Sequence, residues 1–238
     1  MSGDFYPKVV SGKQNLVLLG EAGSGKSEIA LNLAELLVSK GWPVHLYDLD
    51  QTKPLFRSRD AREKLERLGV VMRWEDQLLD APVITGGVRD SLLDGSICSI
   101  LDIGGFETGA RMIGRFAKAL EQTGSKALYL VNPYRPWTKD ADNLLKTMVN
   151  IRRATRLQDF HILANPHLGP DTTAEEFLEG LEMVEDRIPE GLTVEGACVR
   201  EALAREVEGQ VDIPLLPIKL NLSYEWRKDA YLWEKSQY

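Results

Sequence analysis

Residues 16–27 read LVLLGEAGSGKS, an apolar run of strand length that passes directly into a fit to GxxxxGK(S/T). Behind it Ile29, Ala30, Leu33, Leu36 and Leu37 recur at the spacing of one helix face. Strand, glycine-rich turn and helix in that order leave few folds open. The glycines let successive backbone N–H groups turn toward one centre, and the helix adds the positive end of its dipole. Such a cradle takes a phosphate chain. On this reading Gly20, Glu21, Ala22, Gly23, Ser24 and Gly25 form the cradle, Lys26 neutralises the β- and γ-phosphates, and the Ser27 hydroxyl ligates Mg²⁺.

The rest of the chain repeats the alternation. Strand-like runs at 43–50, 97–105, 127–132, 160–165, 192–199 and 214–218 are separated by helical stretches at about 26–39, 59–68, 108–122, 138–156, 173–187 and 200–207. Runs near Val70 and Val83 are too short to count as firm strands. Alternation of this kind predicts a three-layer α/β/α P-loop fold with a mainly parallel sheet. No Gly/Ser/Pro linker interrupts it, so residues 1–238 are expected to form one nucleotide-binding domain. A C-terminal helix at about 222–238, with Leu222, Trp226, Ala230 and Trp233 on one face, is expected to pack on it.

Two strands end in acids. In ICSILDIGG, Asp102 closes an apolar run, where its carboxylate can hold a magnesium-bound water while the Gly105 N–H faces the γ-phosphate. In HLYDLDQTKP, Asp48 and Asp50 are two apart, so one points into the sheet layer while the other leaves the strand end. Asp50 is the better candidate for orienting attacking water or reaching the metal shell. Ligands of open α/β sheets sit beyond such strand ends.

With these motifs in place the chain resembles the MinD/ParA branch of the SIMIBI P-loop NTPases, the CobQ/CobB/MinD/ParA nucleotide-binding family, which includes the nitrogenase iron protein and the nickel-insertion ATPase CooC. The likeness runs through 20–27, DLDQTKP (48–54), DIGG (102–105), ILANP (162–166) and PLLPI (214–218). It implies ATP with Mg²⁺ as cofactors, Asp50 in a first switch that supports hydrolysis, and a second switch after Asp102. It also implies that Asn165 contacts adenine and that Pro214 to Ile218 close the base pocket. A guanine-reading motif is not met: Thr138-Lys139-Asp140-Ala141 carries Ala where NKxD has its acid.

Glu21 departs from the family. Many relatives carry a lysine there that reaches across a face-to-face dimer to the partner's nucleotide. A carboxylate cannot do this and would repel phosphate, so Glu21 is expected to point outward. Substitute cations are Arg57, Arg59, Arg111 and Arg115, which flank the switches.

The formal charge of −7 opposes attraction to nucleic acid or anionic lipid, although Arg152, Arg153 and Arg156 cluster on one predicted helix. No signal-peptide core or bilayer-length apolar run is present, which reads as cytoplasmic. Cys98 and Cys198 lie in strand-like runs without metal-ligand spacing, and His45, His161 and His167 are scattered. VNPYRPWTKDAD (131–142), with Tyr134, Arg135 and Trp137, is a stiff apolar-and-cationic loop at the ligand-bearing edge, equally a partner or substrate surface or a rigid connection. The expected function is a slowly hydrolysing Mg-ATP switch in which residues 50–60 and 103–115 respond to ATP. That response sets association with a second copy as a nucleotide-dependent homodimer, or with a client protein whose assembly or metal-cofactor maturation it serves. The alternatives are a P-loop small-molecule kinase or ATP-dependent ligase, and a regulatory nucleotide-binding module without turnover.

Overall fold

Strands covered on both faces need apolar side chains at successive positions. β1 (Leu16–Leu19), β4 (Cys98–Ile103) and β5 (Lys126–Val131) are buried along their whole length. The computed structural model describes residues 5–10, 14–50, 59–73 and 81–222. With β2 (Val44–Leu49), β3 (Val71–Arg73), β6 (His161–Ala164), β7 (Val194–Arg200) and β8 (Leu215–Ile218), they form one eight-stranded sheet in the order β3-β2-β4-β1-β5-β6-β7-β8. Every pairing is parallel.

Alternation along β1 sorts the two cores. Leu16 and Leu18 face α2 (Lys26–Ser39), meeting Ile29, Leu33 and Leu37 together with Leu46 and Ile100. Phe5 of the short α1 (Phe5–Lys8) and Leu65 of α3 (Arg59–Arg67) complete that layer. Val17 and Leu19 face the other layer. It is built from α4 (Ala81–Leu93), α5 (Phe106–Ile113), α6 (Ala117–Gln122), α7 (Ala141–Thr155) and α8 (Ala174–Arg187), with Leu92, Ile113, Leu120, Leu144 and Phe177 at its centre. The short α9 (Glu201–Val207) adds Val207.

Several boundaries differ from expectation. The expected helix at 108–122 is two, α5 and α6, broken around Gly114, where an added Cβ would lie 2.8 Å from the Ala154 carbonyl of α7. That close approach of α5 and α7 is a tertiary demand that helical periodicity cannot report. The run near Val83 lies in α4, whereas the run near Val70 leads into the edge strand β3. The segment expected as one helix from 138 opens with a 3₁₀ turn (Pro136–Thr138), and Asp140 then caps α7 by accepting from Asn143 N. The C-terminal helix lies outside the described residues beyond Leu222, which packs against the α2-side core. Among the described residues no helix is long and apolar enough to cross a membrane.

Candidate nucleotide site

β1 sits where strand order reverses, with β4 and β2 on one side and β5 through β8 on the other, so the loop leaving it opens at the sheet's switch point. Gly20, Gly23 and Gly25 take φ of +134°, +78° and +93°, which side chains rarely adopt. A Cβ on Gly20 would lie 2.6 Å from Leu130 O and 2.9 Å from Ser24 Oγ, so the loop also lacks room for one. Gly25 caps α2 without a side-chain bond, which leaves the first N–H groups of the helix to a ligand. Lys26 is buried, and its Nζ donates to Gly20 O and Glu21 O, both at 2.9 Å. Burial pulls its pKa below the usual lysine value, while Asp102, Asp50 and Glu21 oppose that shift.

Register brings the carboxylates to the same place. Asp48 of β2 and Asp102 of β4 are direct partners across the strand pair, one step beyond Leu46 and Ile100, and therefore on the α2 face. Both are buried. Burial raises the Asp102 pKa to about 7, with Asp48 adding to the rise and the Ser27 hydroxyl and Lys26 opposing it. Ser27 is near enough to favour the charged form, yet neither Asp102 oxygen has a partner at hydrogen-bonding geometry. Asp50 leaves the strand end as expected: its N–H donates to Asp48 Oδ1 at 3.1 Å, and its Oδ1 lies 2.9 Å from where a Gly104 Cβ would stand. Gly105 caps α5 and packs directly on the cradle, since a Cβ there would meet Ala22 N at 2.7 Å. Asp48, read from sequence as the inward member of its pair, is thus a full participant in the acidic cluster.

Glu21 does not point outward. It is 7% exposed; burial pushes its carboxyl up, and Lys26 and the Ala22 N–H only partly offset this. Burial pushes up the Tyr129 phenol of β5, and Glu21 is near enough to add to that rise. The outward expectation weighed only repulsion by phosphate and omitted the compensation that Lys26 and Ala22 give an inward carboxylate. Pro214 precedes β8, four strands from β1, and its carbonyl accepts from Ala197 N at 3.0 Å; because Ala197 is in register with both Ala164 and Leu215, Pro214 stands near the level of the end of β6. Asn165 follows β6 and reaches the cradle, its Nδ2 donating to Ser24 O at 2.8 Å.

Sequence reasoning did not single out Asn132, and it placed Arg135 only in a loop read as a partner or substrate surface. Asn132, at the end of β5, donates to His167 O at 2.8 Å and accepts from Tyr134 N at 3.2 Å. Arg135 donates from Nε to Gly23 O at 3.1 Å. The signal available was only their place, just past an apolar strand in the loop 131–142. Of the nominated arginines, Arg111 is paired with Glu107 at 2.6 Å and Arg115 is exposed. Arg57 lies outside the described residues, and nothing is described of the Arg59 side chain. Cys98 and Cys198 are both buried within strands, and burial raises the Cys198 thiol.

Unpartnered buried polar atoms gather at this mouth. Among the described residues they are Glu21 Oε2, Ser24 Oγ, both Asp102 oxygens, Asn165 Oδ1 and Arg200 Nε. All but the last belong to the loop or to residues against it. Each such atom costs roughly 1–3 kcal/mol when left unmade. A nucleotide with Mg²⁺ fits the set: N–H donors and Lys26 for phosphate, and Ser27 with Asp102 for a hard cation. Among the described residues no three or more His, Cys, Asp or Glu cluster as metal ligands. Mg²⁺ does not ask for that, because phosphate oxygens and water complete its shell.

The sequence profile described as "CobQ/CobB/MinD/ParA nucleotide binding domain" matches residues 16–204. Among curated proteins no sequence matches the chain. Among solved structures, the cell division protein FtsY of Thermotoga maritima is similar at TM-score 0.51 and 16% identity, over 79% of this chain and 62% of that one. A nucleotide-binding protein of Archaeoglobus fulgidus in complex with ADP gives TM-score 0.45 and 17% identity, over 92% and 87% of the two chains. The signal recognition particle 54 kDa protein of Aeropyrum pernix in complex with GDP gives 0.47 and 21%, over 74% and 40%. The chain thus spans less than two thirds of the FtsY chain, and at these identities the likeness concerns the fold alone.

Proposed function

The chain belongs to the CobQ/CobB/MinD/ParA nucleotide-binding domain family, and from that premise we propose that it is a slowly hydrolysing Mg-ATP switch. The observation that carries this is the ring of unpartnered polar atoms around the phosphate loop, with Asp102 contributing two of them. Lys26 moves from the Gly20 and Glu21 carbonyls to the β- and γ-phosphate oxygens. Ser27 and Asp102 hold the cation, and Asp48 keeps Asp50 at the strand end through the backbone bond. Mg²⁺, when bound, offsets the charge on the phosphate oxygens. Asp50 orients the attacking water from its position against Gly104.

The preference for ATP over GTP in this reading is supported by Asn165. One N–H of its Nδ2 goes to Ser24 O, and its Oδ1 remains as an acceptor. The exocyclic amino group of adenine donates, whereas guanine carries a carbonyl at that ring position. Because Gly105 rests on Ala22 and Gly104 on Asp50, a γ-phosphate that moves the loop or Asp50 also moves the start of α5. That linkage supports a switch whose output is association with a client or a second copy.

Titration calorimetry with MgATP and MgGTP, paired with phosphate release, tests this. The expected result is ATP preference, loss of binding in Lys26→Ala, and slower release with retained binding in Asp50→Ala. Binding unchanged by Lys26→Ala would sink the site, and phosphoryl transfer seen only with a small-molecule acceptor would favour a kinase instead.

A further inference from the structure

On the nucleotide-site reading above, we propose that Arg135 is a cation acting in cis on the phosphate chain, in the role that relatives give to a lysine from a partner subunit. The first observation is contact. Arg135 Nε donates to the carbonyl of Gly23, and a Cβ placed on Gly23 would lie 3.2 Å from Nε, 3.4 Å from Cδ and 3.8 Å from Cζ. The guanidinium therefore lies along the glycine of the loop, where no side chain separates it from the cradle. Among the described residues no hydrogen bond or ion pair occupies its two terminal nitrogens.

The second observation is how firmly the residues around it are held. Thr138 Oγ1 donates to Asn132 O at 2.5 Å and to Arg135 O at 3.1 Å. From the end of α8, Arg187 donates to Pro133 O at 3.0 Å and to Thr138 O at 2.9 Å. The Tyr134 hydroxyl donates to Glu176 O, and Pro136 stiffens the turn that follows. Four side chains thus secure the loop on both sides of Arg135, and its guanidinium reaches the phosphate loop beside Asn132, whose Nδ2 lies 3.5 Å from the same Gly23 carbonyl. A connection that only had to be rigid would not need a cation seated on Gly23.

The third is the gap in the charge pattern that Glu21 creates. It is a carboxyl buried beside Lys26, so residues 20–27 themselves supply Lys26 as their one cationic side chain. Arg111 is tied to Glu107 and 71% exposed, and Lys139 lies 3.9 Å from Asp140. Arg135 is the described arginine that touches the loop. In the reaction, water attacks the γ-phosphorus, the bond to the β–γ bridging oxygen breaks, ADP carries away the bond electrons, and the water proton passes to phosphate and solvent. The guanidinium N–H groups donate to oxygens that gain charge in that step, the role of an arginine finger supplied in cis.

The test compares wild type, Arg135→Ala, Arg135→Lys and Lys26→Ala. It reads MgATP and MgADP affinity by calorimetry, phosphate release across a hundredfold range of protein concentration, and melting temperature. Arg135→Ala is expected to weaken ATP more than ADP by about tenfold and to slow release on the order of 10²-fold or more. Free guanidinium should restore part of the release, and Arg135→Lys should fall between the two. Wild-type release per chain should not change with protein concentration. An unchanged ATP-to-ADP ratio, losses that follow melting temperature alike for both nucleotides, or release per chain that rises with concentration would each overturn the proposal. Lys26→Ala separates the two readings: if it binds as wild type, the site itself fails, and if it loses binding while Arg135→Ala changes nothing, only the cis cation fails.

Discussion

At the N-terminal edge of the sheet Lys126 Nζ donates to Val9 O at 2.7 Å and to Glu195 at 2.8 Å, while at the C-terminal edge Asp102 keeps two buried oxygens without a partner. The contrast extends beyond these residues. Asn15, just before β1, donates to Leu92 O at 2.9 Å and accepts from Ser99 N at 3.0 Å. Ser99, Ser91 and His45 continue that chain at 2.9 and 3.0 Å, and His161 meets Glu195 at 2.5 Å. Polar groups at one end of the strands are satisfied by the fold. At the other end, among the described residues, the buried polar atoms without a hydrogen-bond partner collect. A fold gains stability from the first arrangement and gives some up in the second, which is the usual cost of a site prepared for a charged ligand.

Three substitutions press on this comparison. The largest effect is expected from Gly105→Ala, whose Cβ would stand 2.7 Å from Ala22 N and 2.9 Å from Ala22 Cα. The collision is with backbone, so α5 and the phosphate loop must separate. Melting should show a loss of about 1–3 kcal/mol, and calorimetry a drop in MgATP affinity of about tenfold or more by the same displacement. Wild-type affinity would mean that the close approach of Gly105 to the cradle has no part in binding.

Asp102→Asn should act with opposite signs in the two states of the protein. Between the ordinary carboxylate value near 4 and about 7, the unfolded chain has lost a proton that the folded chain retains. Ligand-free stability therefore falls as pH rises through that window. The asparagine variant does not titrate, so its ligand-free melting temperature should exceed wild type at pH 8 and lose that advantage near pH 4. With nucleotide, the same variant should lose the Mg²⁺-dependent part of the affinity. Melting curves at the two pH values, with and without MgATP, check both signs, and a variant less stable than wild type at pH 8 would contradict the picture of an uncompensated carboxylate.

Glu195→Gln should produce the smallest change, in the other direction. Burial raises the Glu195 carboxyl, but hydrogen bonds from Lys126 and His161 outweigh it and hold the pKa below the usual value. A lowered acid stabilises the fold above its unfolded pKa and ceases to do so as pH falls through the folded one. Because the group is partly exposed, the loss at pH 7 should be about 0.2–1 kcal/mol, vanishing in strong acid. A rise in melting temperature at pH 7 would show that this edge is not the satisfied one.

Much of this arrangement is legible in the residues themselves. The strand–loop–helix at 16–39, the acidic strand ends and the parallel α/β layering all depend on periods of 2 and 3.6 and on the backbone needs of glycine, which are local. Asp50 and Asp102 meet the loop because they end strands that must lie beside or near β1. Other features are not legible because they depend on which elements come into contact. The break at Gly114 comes from α5 meeting α7. The orientation of Glu21 is decided by Lys26, Ala22 and the sheet beneath.

That a phosphate cradle stands at the end of a buried strand is therefore settled by residue order, because glycine, lysine and serine at that spacing impose the turn and the helix start wherever they occur. Which charges surround the cradle is settled by packing. Asp48 comes beside Asp102 through strand register, and Arg135 comes onto Gly23 through a loop held by α8. Electrostatics in a desolvated site depends on distances of a few ångströms between residues far apart in the chain, and the packing of the layers sets those distances.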